Sequence, residues 1–126
     1  TDFPMFRLAE AYLNASEAYL RLGKSSEALN YINVIRNRAY NNGNGAITLS
    51  DLSLNFILDE RSRELSWELL RRTDLIRFNR FTTGDYLWSW KGNVQAGKAV
   101  DSKFNIYPLP SADITANPNL SQNAGY

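Results

Sequence analysis

The chain contains no cysteine and no histidine, one methionine and four prolines in 126 residues. Without cysteine or histidine it can build no disulfide, no zinc site of the usual kind, no Ser-His-Asp or Cys-His catalytic group and no histidine proton relay. The missing cysteine leaves the redox compartment open, because an absent residue fits either one. Charge of one sign is lacking too: Lys and Arg total 14 against 13 Asp and Glu, a net charge of +1. Such a balance creates no broad field to gather nucleic acid or an anionic membrane. Long apolar runs are also missing, the densest being short pieces such as Phe56-Ile57-Leu58, so no segment reads as a membrane span. The opening TDFPMFRLAEAYL is amphipathic and already acidic at Asp2 and Glu10, unlike a secretory signal, and reads as mature protein or a fragment. What is present is an ordinary globular composition, 44% hydrophobic and 21% charged, in a length that suits one domain with a core.

Periodicity divides the chain into three stretches. From Pro4 to Leu22 apolar residues recur at threes and fours (Leu8, Tyr12, Ala15, Tyr19, Leu22), which predicts a helix with Pro4 at its first position. Gly23-Lys24 breaks it. A second helix is expected from Ser25 or Ser26 to about Tyr40, with Ala28, Leu29, Ile32, Ile35 and Ala39 inward, and Asn41-Asn42-Gly43 stops it. After a polar loop, Ser50 or Asp51 can cap a third helix running to about Arg71, with Leu54, Ile57, Leu58, Leu65 and Leu69 inward. Thr73 can cap a further short turn through Phe78. Residues 82–126 lose the helical period and carry most of the glycines and prolines, which predicts an irregular tail. A tail of that length is uncommon unless it is packed or functional, and its Tyr86, Trp88, Trp90, Phe104 and Tyr107 argue that it wraps a surface.

The first helix pair has a pattern beyond amphipathicity. With Tyr12 at the large aromatic position of a tetratricopeptide unit, Ala15-Ser16 falls on the small pair, Tyr19 on the following tyrosine, Ala28 on the small contact of the second helix, and Ile32 and Ile35 on its packing face. Small side chains at Ser16 and Ala28 let the two backbones approach closely while the tyrosines fill the flanks. A generic helical hairpin is the alternative. One such unit cannot bury both its faces, so the 126 residues look like part of a larger assembly of repeats.

Three segments together resemble the SusD/RagB family of outer-membrane glycan-binding lipoproteins. The first is DFPMFRLAEAYLNASEAYLRLG with ALNYINVIRNRA, similar to the family's late tetratricopeptide-like pair. The second is ILDERSRELSWELLRRTDLIRF, similar to its ERRxEL helix and following Arg, Asp-Leu and Arg-aromatic ending, here Glu60-Arg61, Arg63-Glu64-Leu65, Glu68, Arg72, Asp74-Leu75 and Arg77-Phe78. The third is the closing IYPLPSADITANPNLSQNAGY. The chain departs from the pattern where members commonly carry a small residue or glycine and an aromatic beside Arg72; here stand Leu69-Leu70 and Thr73.

The resemblance implies an all-α fold. Residues 1–126 would form a single C-terminal domain fragment: a tetratricopeptide-like helix pair at 4–40, a third helix and short helical turn at 50–80, and an irregular wrapping tail at 82–126. It further implies a protein that binds oligosaccharide or polysaccharide at the cell surface and passes it to a SusC-type TonB-dependent outer-membrane transporter, without catalysis; the residues themselves point to no cofactor, no metal site of the usual kind and no nucleic acid. Anchoring would be by a lipid attached at a cysteine outside this chain. A free-standing tetratricopeptide-like adaptor for a protein partner is the second reading.

With histidine and cysteine absent, carboxylates are the only plausible catalysts. Glu60, Glu64 and Glu68 fall on one helical stripe, a spacing that permits a glycosidase pair, but Arg61, Arg63, Arg71 and Arg72 alternate with them and favour ion pairing. Arg71, Arg72, Arg77 and Arg80 would spread around a helix and favour forks to carboxylates or carbonyls, with Asp74 as one partner, over a phosphate site. The segment Gly84 to Asn93 is the candidate glycan site. Sugars present apolar C–H faces and ring hydroxyls, and here Tyr86, Trp88 and Trp90 supply flat rings with Asp85, Lys91 and Asn93 at the edge. In an extended run the three rings would share one side. The alternative is that they plug the loop onto the helices. The closing run is expected to act as a clasp, with Ile114, Leu120 and Tyr126 docking between helices.

Overall fold

The structure is a computed structural model that describes residues 5–40 and 44–126. It is all-α, with no strand among the described residues: α1 (Leu8–Arg21), α2 (Ser25–Ala39), α3 (Leu54–Glu64), α4 (Arg71–Arg77) and α5 (Ser111–Ala116), with single 3-10 turns at Lys91–Asn93 and Ser102–Asn105. The chain divides into two compact units, Thr1–Arg71 and Arg72–Tyr126.

In the first unit, α1 packs against both α2 and α3. Leu13, Ile32, Ile57 and Leu58 are fully buried, each stabilising the fold by about 1.5–3 kcal/mol of apolar transfer. The close approach of α1 and α2 is made by Ser16 and Ala28, both fully buried, with the Ser16 hydroxyl donating to the Ala28 carbonyl at 2.8 Å. Tyr12 and Tyr19 both lie against Tyr31, at centroid distances of 5.8 and 5.3 Å. The tetratricopeptide-like pairing is therefore present, and Tyr31 is a third ring that the pattern did not single out. Gly23, at φ 75°, takes the left-handed position that ends α1, while the Lys24 N–H donates back to the Tyr19 carbonyl.

Several expected boundaries shift. Pro4 and Asn41-Asn42-Gly43 lie outside the described residues. The helix begins at Leu8, because Arg7 is extended, with φ −143° and ψ 159°. Leu8 and Leu22, expected inward, are exposed at the two ends of the helix, and its buried stripe runs through Ala9, Leu13 and Ser16. The third helix is capped by Ser53, whose hydroxyl accepts from the Phe56 N–H, and not by Ser50 or Asp51. Asp51 instead closes a separate turn by accepting from the Thr48 amide and hydroxyl.

That helix also ends early, at Glu64, with Leu65 as its cap. Trp67 and Leu69 both adopt left-handed backbone, φ 68° and 62°, which turns the chain away from the helix axis. Leu69 is consequently 82% exposed and not inward, and Trp67 is 95% exposed. The departure noted at Leu69-Leu70 thus includes, at Leu69, a backbone conformation that glycine adopts without steric cost.

In the second unit, α4 reverses at Asn79, where the Arg80 and Phe81 N–H groups both donate to the Leu75 carbonyl. The tail is irregular in the main, yet it contains α5, which loop-forming Pro108 and Pro110 concealed. Its clasp is built from hydrogen bonds: Gln122 brackets the Leu109 amide and carbonyl (2.8 and 2.9 Å), Asn123 donates to the Tyr107 carbonyl (2.7 Å), and the Tyr126 hydroxyl donates to Ile106 (3.0 Å). Leu120 and Tyr126, expected to dock between helices, are exposed.

Candidate functional site

The three glutamates of the α3 stripe are each occupied by guanidinium. Glu60 Oε2 accepts from Arg36 Nη1 (2.7 Å) and Arg63 Nη2 (2.6 Å); Glu64 Oε1 accepts from Arg7 Nη1 (2.6 Å) and Arg38 Nη2 (2.5 Å). Glu68 lies beyond the helix end and takes both oxygens to Arg7 Nε at 2.8 and 2.9 Å. Arg7 is correspondingly held even more firmly in its charged form, chiefly by Glu68 and against the cost of burial. Glu60 Oε2, Glu64 Oε1 and both oxygens of Glu68 thereby tie α2, α3 and the chain before α1 together.

The later arginines are tied as well. Arg71 donates to the Leu58 carbonyl (2.9 Å), Arg72 to the Phe104 carbonyl (2.7 Å), Arg77 to Asp74 (3.2 Å) and Arg80 to Asp85. Asp74 has the arginine partner expected of it.

The aromatic segment folds as a closed loop. The Val100 N–H donates to the Thr82 carbonyl (3.0 Å) and joins the loop's two ends, while the Lys98 N–H reaches the Lys91 carbonyl (3.0 Å) across it. At its centre is Lys91, only 3% exposed, whose ammonium donates to the carbonyls of Arg80 (3.1 Å), Thr83 (2.5 Å) and Tyr86 (2.9 Å). Burial pushes this ammonium below the usual lysine range, and the Asp85 carboxylate partly opposes the shift. All three ammonium donors are engaged, so Lys91 has none for a sugar; it organises the loop. Asp85 rests on the Thr83 hydroxyl and Arg80, and that hydroxyl first, then its own backbone N–H and the guanidinium, holds its carboxyl below the ordinary aspartate range.

Of the rings, Trp88 stacks on Phe81 at 6.4 Å and on the Lys91 ammonium at 4.5 Å, and remains 37% exposed. Tyr86 is half-buried against Trp88, at 6.5 Å. Trp90 is 66% exposed, at φ 70°. The run does not stay extended: left-handed backbone at Trp90, Gly92 and Asn93 turns it, with Tyr86 against Trp88 and Trp90 at the turn itself. Gly97 is required for this closure, since its φ is 78° and a Cβ there would lie 2.5 Å from the Trp88 carbonyl oxygen.

Beside the loop is an open cleft of about 840 Å³, within the usual range for ligand sites, formed wholly from the second unit. Trp88, Lys91 and Asn93 of the candidate set line it, together with Arg72, Lys98, Phe104 and Tyr107, which sequence reasoning did not connect to a site. Only the Gly92 and Gly97 pair, marking a tight turn, hinted that residues 98–107 return to the aromatic segment.

An all-α scaffold with a tetratricopeptide-like pair, an ion-paired glutamate helix and a clasped aromatic tail defines the class of protein. A sequence model described as the SusD family matches residues 1–126, and the chain belongs to that family. It is 46% identical over all 126 residues to the starch-binding protein SusD of Bacteroides thetaiotaomicron, covering 22% of that protein, and 31% identical to SusD-like protein P2 of Formosa agariphila, covering 26% of it. A crystal structure of a SusD superfamily protein from Bacteroides vulgatus superposes with a TM-score of 0.74 and 33% identity, over 96% of this chain and 27% of that one. The chain thus spans about a quarter of the length of these relatives.

Proposed function

We propose that this chain is the C-terminal scaffold part of a cell-surface, lipid-anchored glycan-binding protein that captures oligosaccharide for import with a SusC-type TonB-dependent outer-membrane transporter, and that it performs no catalysis. The observation that carries the reading is the 46% identity along the whole chain to a starch-binding protein. The role of Glu60, Glu64 and Glu68 supports it, because each of them is ion-paired with arginine. Within this chain, the exposed ring of Trp88 with Tyr86 against it, the exposed ring of Trp90 and the Asn93 amide offer the surfaces for sugar, and Lys91 holds the loop that carries them. An aromatic face flanked by amide and charged groups matches the C–H faces and hydroxyls of a sugar ring.

Calorimetric titration with a broad panel of soluble oligosaccharides is expected to give heat for at least one of them. No heat from any glycan, together with tight binding of a peptide to the helix pair, would instead establish a tetratricopeptide-like adaptor.

A further inference from the structure

From the cleft beside the aromatic loop we infer a binding site for an acidic sugar, a uronate residue of an oligosaccharide, an assignment that rests on the glycan-binding reading. Its charged side chains are Arg72, Lys91 and Lys98 against Asp101; with the Lys91 ammonium spent on three carbonyls, Arg72 and Lys98 are the cations left to a ligand. Oδ1 of Asp101 accepts from the Lys103 N–H at 2.8 Å as the cap of the Ser102–Asn105 turn. Among its side chains, the two available cations thus outnumber the one carboxylate. Neutral sugars present hydroxyls that need acceptors as well as donors; a uronate adds a carboxylate whose oxygens only accept.

Two cations are placed to meet it. The Arg72 guanidinium is clamped between the rings of Phe81 and Tyr107, at 5.0 and 4.0 Å, and donates one N–H to the Phe104 carbonyl, so its fork is held rigid with further N–H groups still available. Lys98 is exposed, and no ion pair or side-chain hydrogen bond engages its ammonium among the described residues. Its main chain, however, is fixed by the Lys98 N–H to Lys91 carbonyl bond at 3.0 Å. The rings of Trp88, Phe104 and Tyr107 supply the apolar walls on which the C–H face of a sugar can lie, each retaining exposed surface. A pre-set planar cation, a free ammonium and aromatic walls are the complement of a pyranose bearing a carboxylate.

The test is calorimetry on the whole chain with a trisaccharide of galacturonate, a neutral glucose trisaccharide of equal length, and a short polyglutamate peptide. The galacturonate is expected to bind tightest. Lys98→Gln is expected to weaken that binding about tenfold, the loss of one charge-assisted hydrogen bond, and to leave the neutral sugar unchanged. Lys24→Gln, which removes the same charge from the first unit, is expected to change nothing. Equal or tighter binding of the neutral sugar overturns the acidic assignment and leaves the glycan reading standing. Polyglutamate binding as well as galacturonate, or Lys98→Gln having no more effect than Lys24→Gln, overturns it as non-specific charge attraction. Failure of both sugars to bind overturns the site and removes the support of this chain from the glycan reading.

Discussion

The two units satisfy their polar groups in different ways. In the first unit the helices bond most of their own backbone, and side-chain charges pair with one another across elements (Arg36 with Glu60, Arg38 with Glu64, Arg7 with Glu64 and Glu68), with side chains reaching carbonyls at a few junctions such as Arg36 at Gly45 and Arg71 at Leu58. In residues 82–126 little of the chain is helical, so many carbonyls lack a backbone partner and side chains take that place: Lys91 for three carbonyls, Arg72 for Phe104, Lys103 for Gly125, Gln122 for Leu109 and Asn123 for Tyr107. Buried backbone groups must be paired in either case. A regular element does so by geometry, whereas an irregular one does so with particular residues, each of which matters locally.

This contrast can be challenged in order of effect. Ile57→Ala in the first unit removes a fully buried side chain shared by the helices and is expected to cost about 3 kcal/mol, read as a lower urea midpoint for the helical circular dichroism. A loss under about 1 kcal/mol would mean that apolar packing is not what holds this unit. Lys91→Met keeps the stem of the side chain but strands the Arg80, Thr83 and Tyr86 carbonyls; it is expected to cost about 2 kcal/mol. The effect should concentrate in faster amide exchange at Gly97, Lys98 and Val100, with the α1 to α3 amides unchanged. Uniform acceleration across both units would erase the distinction.

A smaller effect has the opposite sign. Leu69→Gly relieves a left-handed backbone on an exposed residue and is expected to stabilise by about 1 kcal/mol, seen as a higher urea midpoint. Unchanged or lower stability would show that the leucine side chain makes a compensating contact. The smallest effect is at Asp85. Its folded pKa lies below the ordinary 3.8, chiefly through the Thr83 hydroxyl, so its contribution to the loop is present above that value and fades as pH falls through the folded pKa. Thr83→Val is expected to move the Asp85 titration midpoint upward toward the ordinary value, as followed by NMR; no movement would assign the shift to Arg80.

The same contrast explains how much could be read from the sequence. The helix pair was legible because Ser16, Ala28, Ile32 and Ile35 follow helical spacing, and burial obeys that spacing. The early end of α3 was not, since Leu65 and Leu69 continue the apolar period and nothing in that period reports that Trp67 and Leu69 turn left-handed. In the tail, the aromatic residues marked the segment from which Trp88, Lys91 and Asn93 border the cleft. The role of Lys91 was hidden because a lysine beside tryptophans reads equally as an exposed edge cation; only the carbonyls converging on it, from residues five to eleven positions away, turn it inward. Arg72 and Tyr107 meet in the cleft across a separation that no local pattern encodes.

Three tryptophans allow a direct test of the central claim, that the sugar-facing surface of this chain is the second unit's aromatic loop. Trp67 in the first unit and Trp88 and Trp90 in the second are all solvent-accessible in the free protein. Oxidative footprinting of the tryptophans, with and without saturating oligosaccharide, is expected to show Trp88 and Trp90 shielded while Trp67 stays as reactive as before. Shielding of Trp67 with Trp88 and Trp90 unchanged would contradict the account.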